Sequence, residues 1–381
     1  MNVSDDVFKD NYYLLYPYFD IDFYSEHYGI ARGHDPIRHY LLEGAREGLD
    51  PSPFFSTRFY NEMYPDVIAS GMNPFVHFVR FGLNESRHPR NPKDFSSMYP
   101  HSDIGDPQLN AYKWEMPCIV NDFKIAGEGG SGIELLMAKL NETTASATIL
   151  RRPSDDWLIL FAGRAESFHF LRKMSKFWGN VLFLRDKSNT YYAQNPNLPH
   201  VDRLSTYIDF LTGPRNGVTV MMGQSYGGHA ALYQASHIKG SIAFGFSPQV
   251  YHPTKYHHNV YFERKVPKIV PIDCAPDLLS HIRSAPKSTC YAIAGISESS
   301  HEDDWFWGDA IGAGMLAATG KVSVVIVNRN EHSTLKYLDP QKFFALLKEN
   351  IHIFAKDTNH GAYLLAHGNV YYDRALSGKK S

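Results

Sequence analysis

From about residue 155 onward, short apolar runs alternate with longer stretches of helical periodicity. The runs WLILFAG (157 to 163), NVLFLRD (180 to 186), GVTVMMG (217 to 223), GSIAFGFS (240 to 247), TCYAIAGIS (289 to 297) and KVSVVIVN (321 to 328) are dense in apolar and β-branched residues. They lack the polar alternation of a half-exposed strand, so they predict strands covered on both faces. Between them HFLRKMSKF, RLSTYIDFL, GGHAALYQASH, PDLLSHIRS and DAIGAGMLAATG predict helices, and PQKFFALLKENIHIF closes the series. Repeated strand, crossover and strand units predict an α/β domain over 151–360, a doubly wound and mostly parallel sheet with binding at the carboxyl ends of its strands.

Residues 1–95 have another texture, rich in Tyr, Phe and His, and they repeat internally. Phe23-Tyr24 matches Phe59-Tyr60, Tyr28 matches Tyr64, Gly33 matches Gly71, and Asp35-Pro36 matches Asn73-Pro74; His39-Tyr40, Gly44 and Glu47 match His77-Phe78, Gly82 and Glu85. The second copy is two residues longer, in YPDVIASG against YGIARG, a slip that a loop absorbs. In each copy a short aromatic helix reaches a glycine turn, and a proline then opens a second helix that ends at glycine. A small all-α domain of two helical hairpins follows, its aromatics forming the packing face because so small a unit needs large side chains to make a core. His39 and His77 recur without accompanying Cys or carboxylate clusters, which makes them structural histidines rather than metal ligands.

The pattern from Phe59 to Phe78, F-Y-x3-Y-P-D-V-x-A-x-G-x-N-P-x-x-H-F, resembles the short repeat attached to many bacterial glycosyltransferases and polysaccharide-biosynthesis proteins. The first copy lacks the Pro-Asp-Val element. The resemblance implies a neighbourhood, surface-glycan assembly, and a glycosyltransferase as a partner for the repeats.

Residues 96–150 form a linker with a partly ordered connection. Proline punctuates its start, EGGSG at 128 to 132 is a turn, and IELLMAKLNE is a helix that packs on either domain; residues 361–381 are expected as a tail. Hydrophobic residues at 43% and charged residues at 20% describe a folded chain. Lys and Arg number 38 against 40 Asp and Glu, so no global field attracts nucleic acid. Three widely spaced cysteines, Cys118, Cys274 and Cys290, suggest neither disulfides nor a zinc site. The first residues show no basic region leading into an apolar run, and no stretch is apolar enough to span a bilayer. The expectation is a cytoplasmic protein, associated with membrane-bound glycan-synthesis machinery if the repeats act as their resemblance implies.

The segment that carries chemistry is Gly223-Gln224-Ser225-Tyr226-Gly227, where a predicted strand runs into a predicted helix. A nucleophilic serine at that junction needs a strained turn that lifts its hydroxyl clear of the sheet, and the flanking glycines let neighbouring backbone pass. The helix that follows aims its positive end at a developing oxyanion. His332, in the segment after KVSVVIVN, can take the serine proton at neutral pH. His229, His252, His257 and His258 are weaker candidates: the first lies inside the elbow helix and the others in an excursion from Pro248 to Pro276 that interrupts the strand-helix rhythm.

The order of elements resembles the α/β-hydrolase family, in which the serine comes first, the acid follows a later strand and the histidine follows the last. The resemblance implies an acid after TCYAIAGIS, where Glu298, Asp303, Asp304 and Asp309 are available. Asp303 and Asp304 match the longer acid loop of polysaccharide-modifying relatives and are preferred, with Glu298 in reserve at the commoner family position. It also implies an oxyanion hole from the amide of Tyr226 and from Gly163-Arg164, and a lid at 248–276. Arg164 could alternatively bind an anionic acyl carrier or an acidic sugar.

The lid and WFWGD at 305 to 309 are rich in Tyr, His, Lys and Trp, suited to sugar rings and to acidic glycans or a nucleotide-bearing donor. Three functions remain open. An O-acetyltransferase would form an acyl-enzyme on Ser225 and acylate a sugar hydroxyl of a surface polysaccharide, with acetyl-CoA as co-substrate and no cofactor held permanently. An esterase would use the same residues with water as acceptor. A non-catalytic docking protein in a glycan-assembly or secretion complex would need none of them.

Overall fold

The computed structural model describes residues 5–31, 33–83, 85, 87–91, 117–121, 146–163, 170–188, 191–192, 198, 201, 204–213, 215–250, 277–284, 288–296, 305–328 and 332–372. The chain divides into two compact units, Met1–Arg152 and Pro153–Ser381.

In the first unit the two sequence copies fold on the same local chemistry. Asp20 and Ser56 cap the opening helices Ile21–Tyr28 and Thr57–Met63, each accepting a hydrogen bond from the amide three residues on. Asp35 and Asn73 cap the second helices, Pro36–His39 and Pro74–His77, which start with proline at the first position and widen into π turns, Tyr40–Gly44 and Phe78–Gly82. The Tyr24 hydroxyl is hydrogen-bonded to Nδ1 of His39 at 2.9 Å, and the Tyr60 hydroxyl to Nδ1 of His77 at 3.1 Å. Tyr28 and Tyr64 each accept a backbone amide, from Asp50 at 2.8 Å and His88 at 2.7 Å. Every π turn ends at glycine because a Cβ on Gly44 or Gly82 would run into the hydroxyl of Tyr24 or Tyr60. Tyr40 and Phe75 meet edge to face across the copies, with ring centroids 6.0 Å apart. The longer second copy spends its additional residues on a further short helix, Pro65–Ser70, in the Pro-Asp-Val element that the first copy lacks.

The first unit is not all helix and does not end at 95. Strands β1 (Cys118–Asn121) and β2 (Ala147–Arg151) pair in parallel within it, Ile119 opposite Ile149. Both strands lie in the stretch expected as a linker from its prolines and the EGGSG turn; they are short, and Thr148, polar in type, is buried in β2. Arg151 Nε lies 3.3 Å from the carboxylate of Asp20, which is 1% exposed, so the end of β2 is tied to the cap of the first repeat helix. The helix expected at IELLMAKLNE and the EGGSG turn lie outside the described residues.

In the second unit all six expected strands form: β3 (Trp157–Phe161), β4 (Asn180–Leu184), β5 (Thr219–Gln224), β6 (Ile242–Phe246), β7 (Thr289–Ile296) and β8 (Val322–Asn328). They pair in parallel in the order β4-β3-β5-β6-β7-β8. Every residue of β3, β4, β5 and β6 is buried, as continuous apolar runs covered by helices on both faces require. The edge strand β8 alternates instead, with Val325 buried and Ile326 48% exposed. The closing helix is broken at Asn350 into Pro340–Glu349 and Ile351–Phe354. The expected tail is in part structure: helix Thr358–His367 packs against β8, Val370 is buried, and Tyr371 bridges to Leu338. Among the described residues, no helix is long and apolar enough to cross a membrane.

The hydroxyl-against-glycine contact in each repeat generates a compensation test. Gly82→Ala should destabilise the first unit by about 1–3 kcal/mol through overpacking. Adding Tyr60→Phe should recover part of that loss, although it removes the bond to His77. Calorimetry of the full chain would measure both, and a double variant no more stable than Gly82→Ala alone would refute the steric account.

Candidate active site

Strand β5 ends at Gln224, and the helix Tyr226–Ala235 begins one residue later, leaving Ser225 alone to turn the chain. It does so with φ 59° and ψ −119°, a backbone conformation that costs a residue with a side chain about 1–3 kcal/mol. Three main-chain hydrogen bonds hold it there. Ser225 N donates to Phe246 O at 2.9 Å, and Ser225 O accepts from His229 N at 3.0 Å and Gln249 N at 3.3 Å. The bracketing glycines are required by contact. A Cβ on Gly223 would collide with the carbonyl of Gly227, and one on Gly227 with the carbonyls of Phe161 and Ala162 at the end of β3. The turn therefore closes only with glycine at positions 223 and 227.

Across the sheet ends, His332 presents Nδ1 to the Oδ2 of Asp309 at 2.7 Å. Asp309 is 1% exposed and lies in the helix Trp305–Ala317. Burial raises its carboxyl above the ordinary carboxylate range, and the hydrogen bond and charge of His332, with a hydrogen bond from the Ser247 hydroxyl, pull it back down. Ser247 follows β6 with φ 41°. Its amide donates to Ile293 O at 2.6 Å, and its hydroxyl also meets the hydroxyl of Thr334 at 3.1 Å.

The backbone of His332 is fastened to the residue beside Ser225. Gln224 Nε2 donates to His332 O at 2.7 Å, and Leu335 N donates to Gln224 Oε1 at 2.9 Å. Gln224 is 6% exposed, so either bond left unmade would cost about 1–3 kcal/mol. The far end of the same segment is held by Lys173, whose ammonium donates to Leu338 O at 3.0 Å and to Lys336 O.

No family model and no curated protein sequence matches the chain. It is similar to solved structures. A capsule O-acetyltransferase of Neisseria meningitidis serogroup A is 15% identical, over 55% of this chain and 93% of that one, with a TM-score of 0.40. An esterase of Pyrococcus furiosus is 17% identical over 54% and 82%, with a TM-score of 0.36. A lipase-esterase related protein from Clostridium acetobutylicum is 12% identical over 57% and 97%, also at 0.36. One structure of the Neisseria enzyme is a complex with CoA.

Of the residues singled out in the sequence, the structure places Ser225, Tyr226 and Gly163 at one turn and links that turn to His332. A Cβ on Gly163 would stand 2.8 Å from Gln224 O and 3.8 Å from the Ser225 Cβ, so residue 163 lies directly against the elbow. Tyr226 opens the elbow helix, its ring 4.2 Å from that of Tyr191. Arg164, Glu298, Asp303, Asp304 and the excursion at 251–276 with His252, His257 and His258 lie outside the described residues. The carboxylate that faces Nδ1 of His332 is Asp309, the member of the acid-loop set furthest from β7 and not one of the preferred pair. His229 is fully buried, with Nδ1 hydrogen-bonded to Gln249 O at 2.7 Å. Gln224, Ser247 and Thr334 went unnoticed in the sequence. Only Gln224 carried a signal, by lying inside the pentapeptide. Among the described residues no three His, Cys, Asp or Glu side chains converge as a metal site.

The buried carboxyl sets a pH-dependent stability term. Its folded-state pKa is raised, so the folded state binds the proton more tightly than the unfolded chain does, and stability is lost as pH rises from the ordinary range near 3.9 through the folded value. Asp309→Asn removes that loss. Its melting temperature should exceed the wild-type value at pH 7, and the gain should vanish toward pH 3. The same variant should react with a fluorophosphonate on the order of 10³–10⁴ times more slowly. A gain in stability that persists unchanged at pH 3 would contradict the assigned burial cost.

Proposed function

We propose that the second unit is a serine-dependent acyl-transfer enzyme of α/β-hydrolase type, with Ser225 as nucleophile, His332 as general base and Asp309 as the carboxylate that orients it. One observation carries this reading: a serine in a strained left-handed turn at a strand-to-helix junction, with the segment that bears a carboxylate-paired histidine fastened to the adjacent residue. A docking protein gains nothing from the strain or from burying Asp309.

In the first half-reaction the Ser225 hydroxyl attacks an acyl carbonyl and gives its proton to Nε2 of His332. The tetrahedral oxyanion is met by the amide of Tyr226 at the positive end of the elbow helix and by the backbone at Gly163. The imidazolium, stabilised through Nδ1 by Asp309, returns the proton to the leaving thiol or alcohol as the carbonyl reforms on Ser225 Oγ. In the second half-reaction an acceptor hydroxyl loses its proton to His332 and attacks the acyl-enzyme; Ser225 leaves and recovers the proton.

The acceptor we propose is a sugar hydroxyl of a bacterial surface polysaccharide, and the donor acetyl-CoA. The resemblance of the N-terminal repeats to those attached to glycosyltransferases supports the glycan neighbourhood, and the repeats are proposed to dock such an enzyme. Water as acceptor would make the same machinery an esterase.

Mass spectrometry after fluorophosphonate treatment should find one adduct, on Ser225, and none in Ser225→Ala; labelling that survives the substitution would discard the nucleophile. Thiol release from acetyl-CoA should depend on added polysaccharide. Release indifferent to the glycan would replace transfer with hydrolysis.

A further inference from the structure

We propose that Gln224 is a positioning residue: its carboxamide locks the base-bearing segment 332–335 to the nucleophile elbow, so that Ser225 and His332 are held in register through one side chain. The inference rests on the roles proposed above for Ser225 and His332, and it goes beyond them in assigning the element that sets their separation.

Three features of the geometry point to it. Gln224 uses both halves of its amide on one short segment, donating from Nε2 to His332 O and accepting at Oε1 from Leu335 N. The segment runs into the 3-10 helix Thr334–Tyr337, so the bond to Leu335 N fastens the first turn of that helix as well as the backbone of His332. Gln224 is also covalently next to Ser225, whose own backbone is fixed by Phe246, His229 and Gln249. A shift of His332 relative to the elbow must therefore break a buried hydrogen bond. On its other side the segment meets Ser247 through Thr334, and Ser247 also holds Asp309. The acid and the base are thus braced from different strands, the acid from β6 and the base from β5.

The chemistry of the clamp is specific to an amide. A side chain with only an acceptor cannot serve the carbonyl of His332, and an apolar one serves neither group. Glutamine alone among residues of its length supplies a donor and an acceptor that are both uncharged. A glutamic acid does so only while protonated.

The test uses the full chain and three measurements. Gln224→Met keeps the length and apolar stem and removes both bonds. Its saturating rate of fluorophosphonate labelling should fall about 10–100-fold with little change in the half-saturating concentration, the signature of a misplaced base rather than a damaged pocket. Gln224→Glu should be as slow at pH 8 and regain rate relative to wild type as pH is lowered. The titratable groups of this region, His332, Asp309 on its imidazole and Lys173 at the far end of the segment, are present in every variant, and the uncharged Gln224→Met supplies the pH profile without the clamp against which Gln224→Glu is read. A crystal structure of Gln224→Met should show segment 332–335 displaced from its place beside β5. An undisplaced segment, a wild-type labelling rate, or a Gln224→Glu ratio flat with pH would each overturn the proposal. If wild-type protein is not labelled at all, the acyl-transfer reading fails, while displacement of the segment still decides the clamp.

Discussion

One backbone conformation organises the second unit. Ser225 cannot adopt a positive φ unless its surroundings over-determine it, and they do so through glycines that let the carbonyls of β3 and of the elbow helix close in, and through bonds from the ends of neighbouring strands. The parallel sheet is the means. Because β3, β5 and β6 run the same way in register, Phe161, Gly223 and Gly245 lie at one level, with Gln224 and Phe246 paired one residue beyond, and the segments that follow these strands converge on the turn. Sheet order thus determines which loops can reach the serine, and the apolar runs that fill both faces of those strands hold that order in place.

Polar groups at these strand ends form a connected set rather than isolated pairs. Asp309 is buried, yet its oxygens face the imidazole of His332 and the hydroxyl of Ser247, and Ser247 in turn meets Thr334 on the same segment as His332. Such a set is costly to bury and strongly specifies one arrangement once its members are paired. The elevated proton affinity of Asp309 records that cost. The fold therefore carries at one place a strained serine, a buried carboxyl and a partly buried histidine, which is where stability is commonly surrendered to chemistry.

The six strands of the second unit were legible because each is a run of apolar and β-branched residues too short and too uniform to be anything else. The serine turn was legible because its glycines are needed by direct contact. The acid was not. The resemblance to the longer acid loop of polysaccharide-modifying relatives favoured Asp303 and Asp304, but the choice depends on how the helix Trp305–Ala317 carries its first turn toward His332, and no local pattern encodes that. The pentapeptide marks the place of Gln224 but not its partners, which lie on a segment more than a hundred residues away. Strands β1 and β2 were missed because a four-residue run and a threonine-containing one do not rise above the polar residues around them. In the first unit the paired histidines read as structural from their recurrence without accompanying Cys or carboxylate clusters, whereas their tyrosine partners required coordinates.

The duplicated tyrosine, histidine and glycine contacts of the first unit amount to a geometric barcode. The hydrogen-bonded Tyr and His are 15 residues apart in one copy and 17 in the other, while the glycine follows the histidine at the same interval in both. The variable spacer lies where an additional helix can be accommodated; the constant interval lies where the hydroxyl presses on the backbone. Length can therefore change in the spacer without disturbing the contact, whereas any change between the histidine and the glycine would move the backbone off the hydroxyl that presses on it.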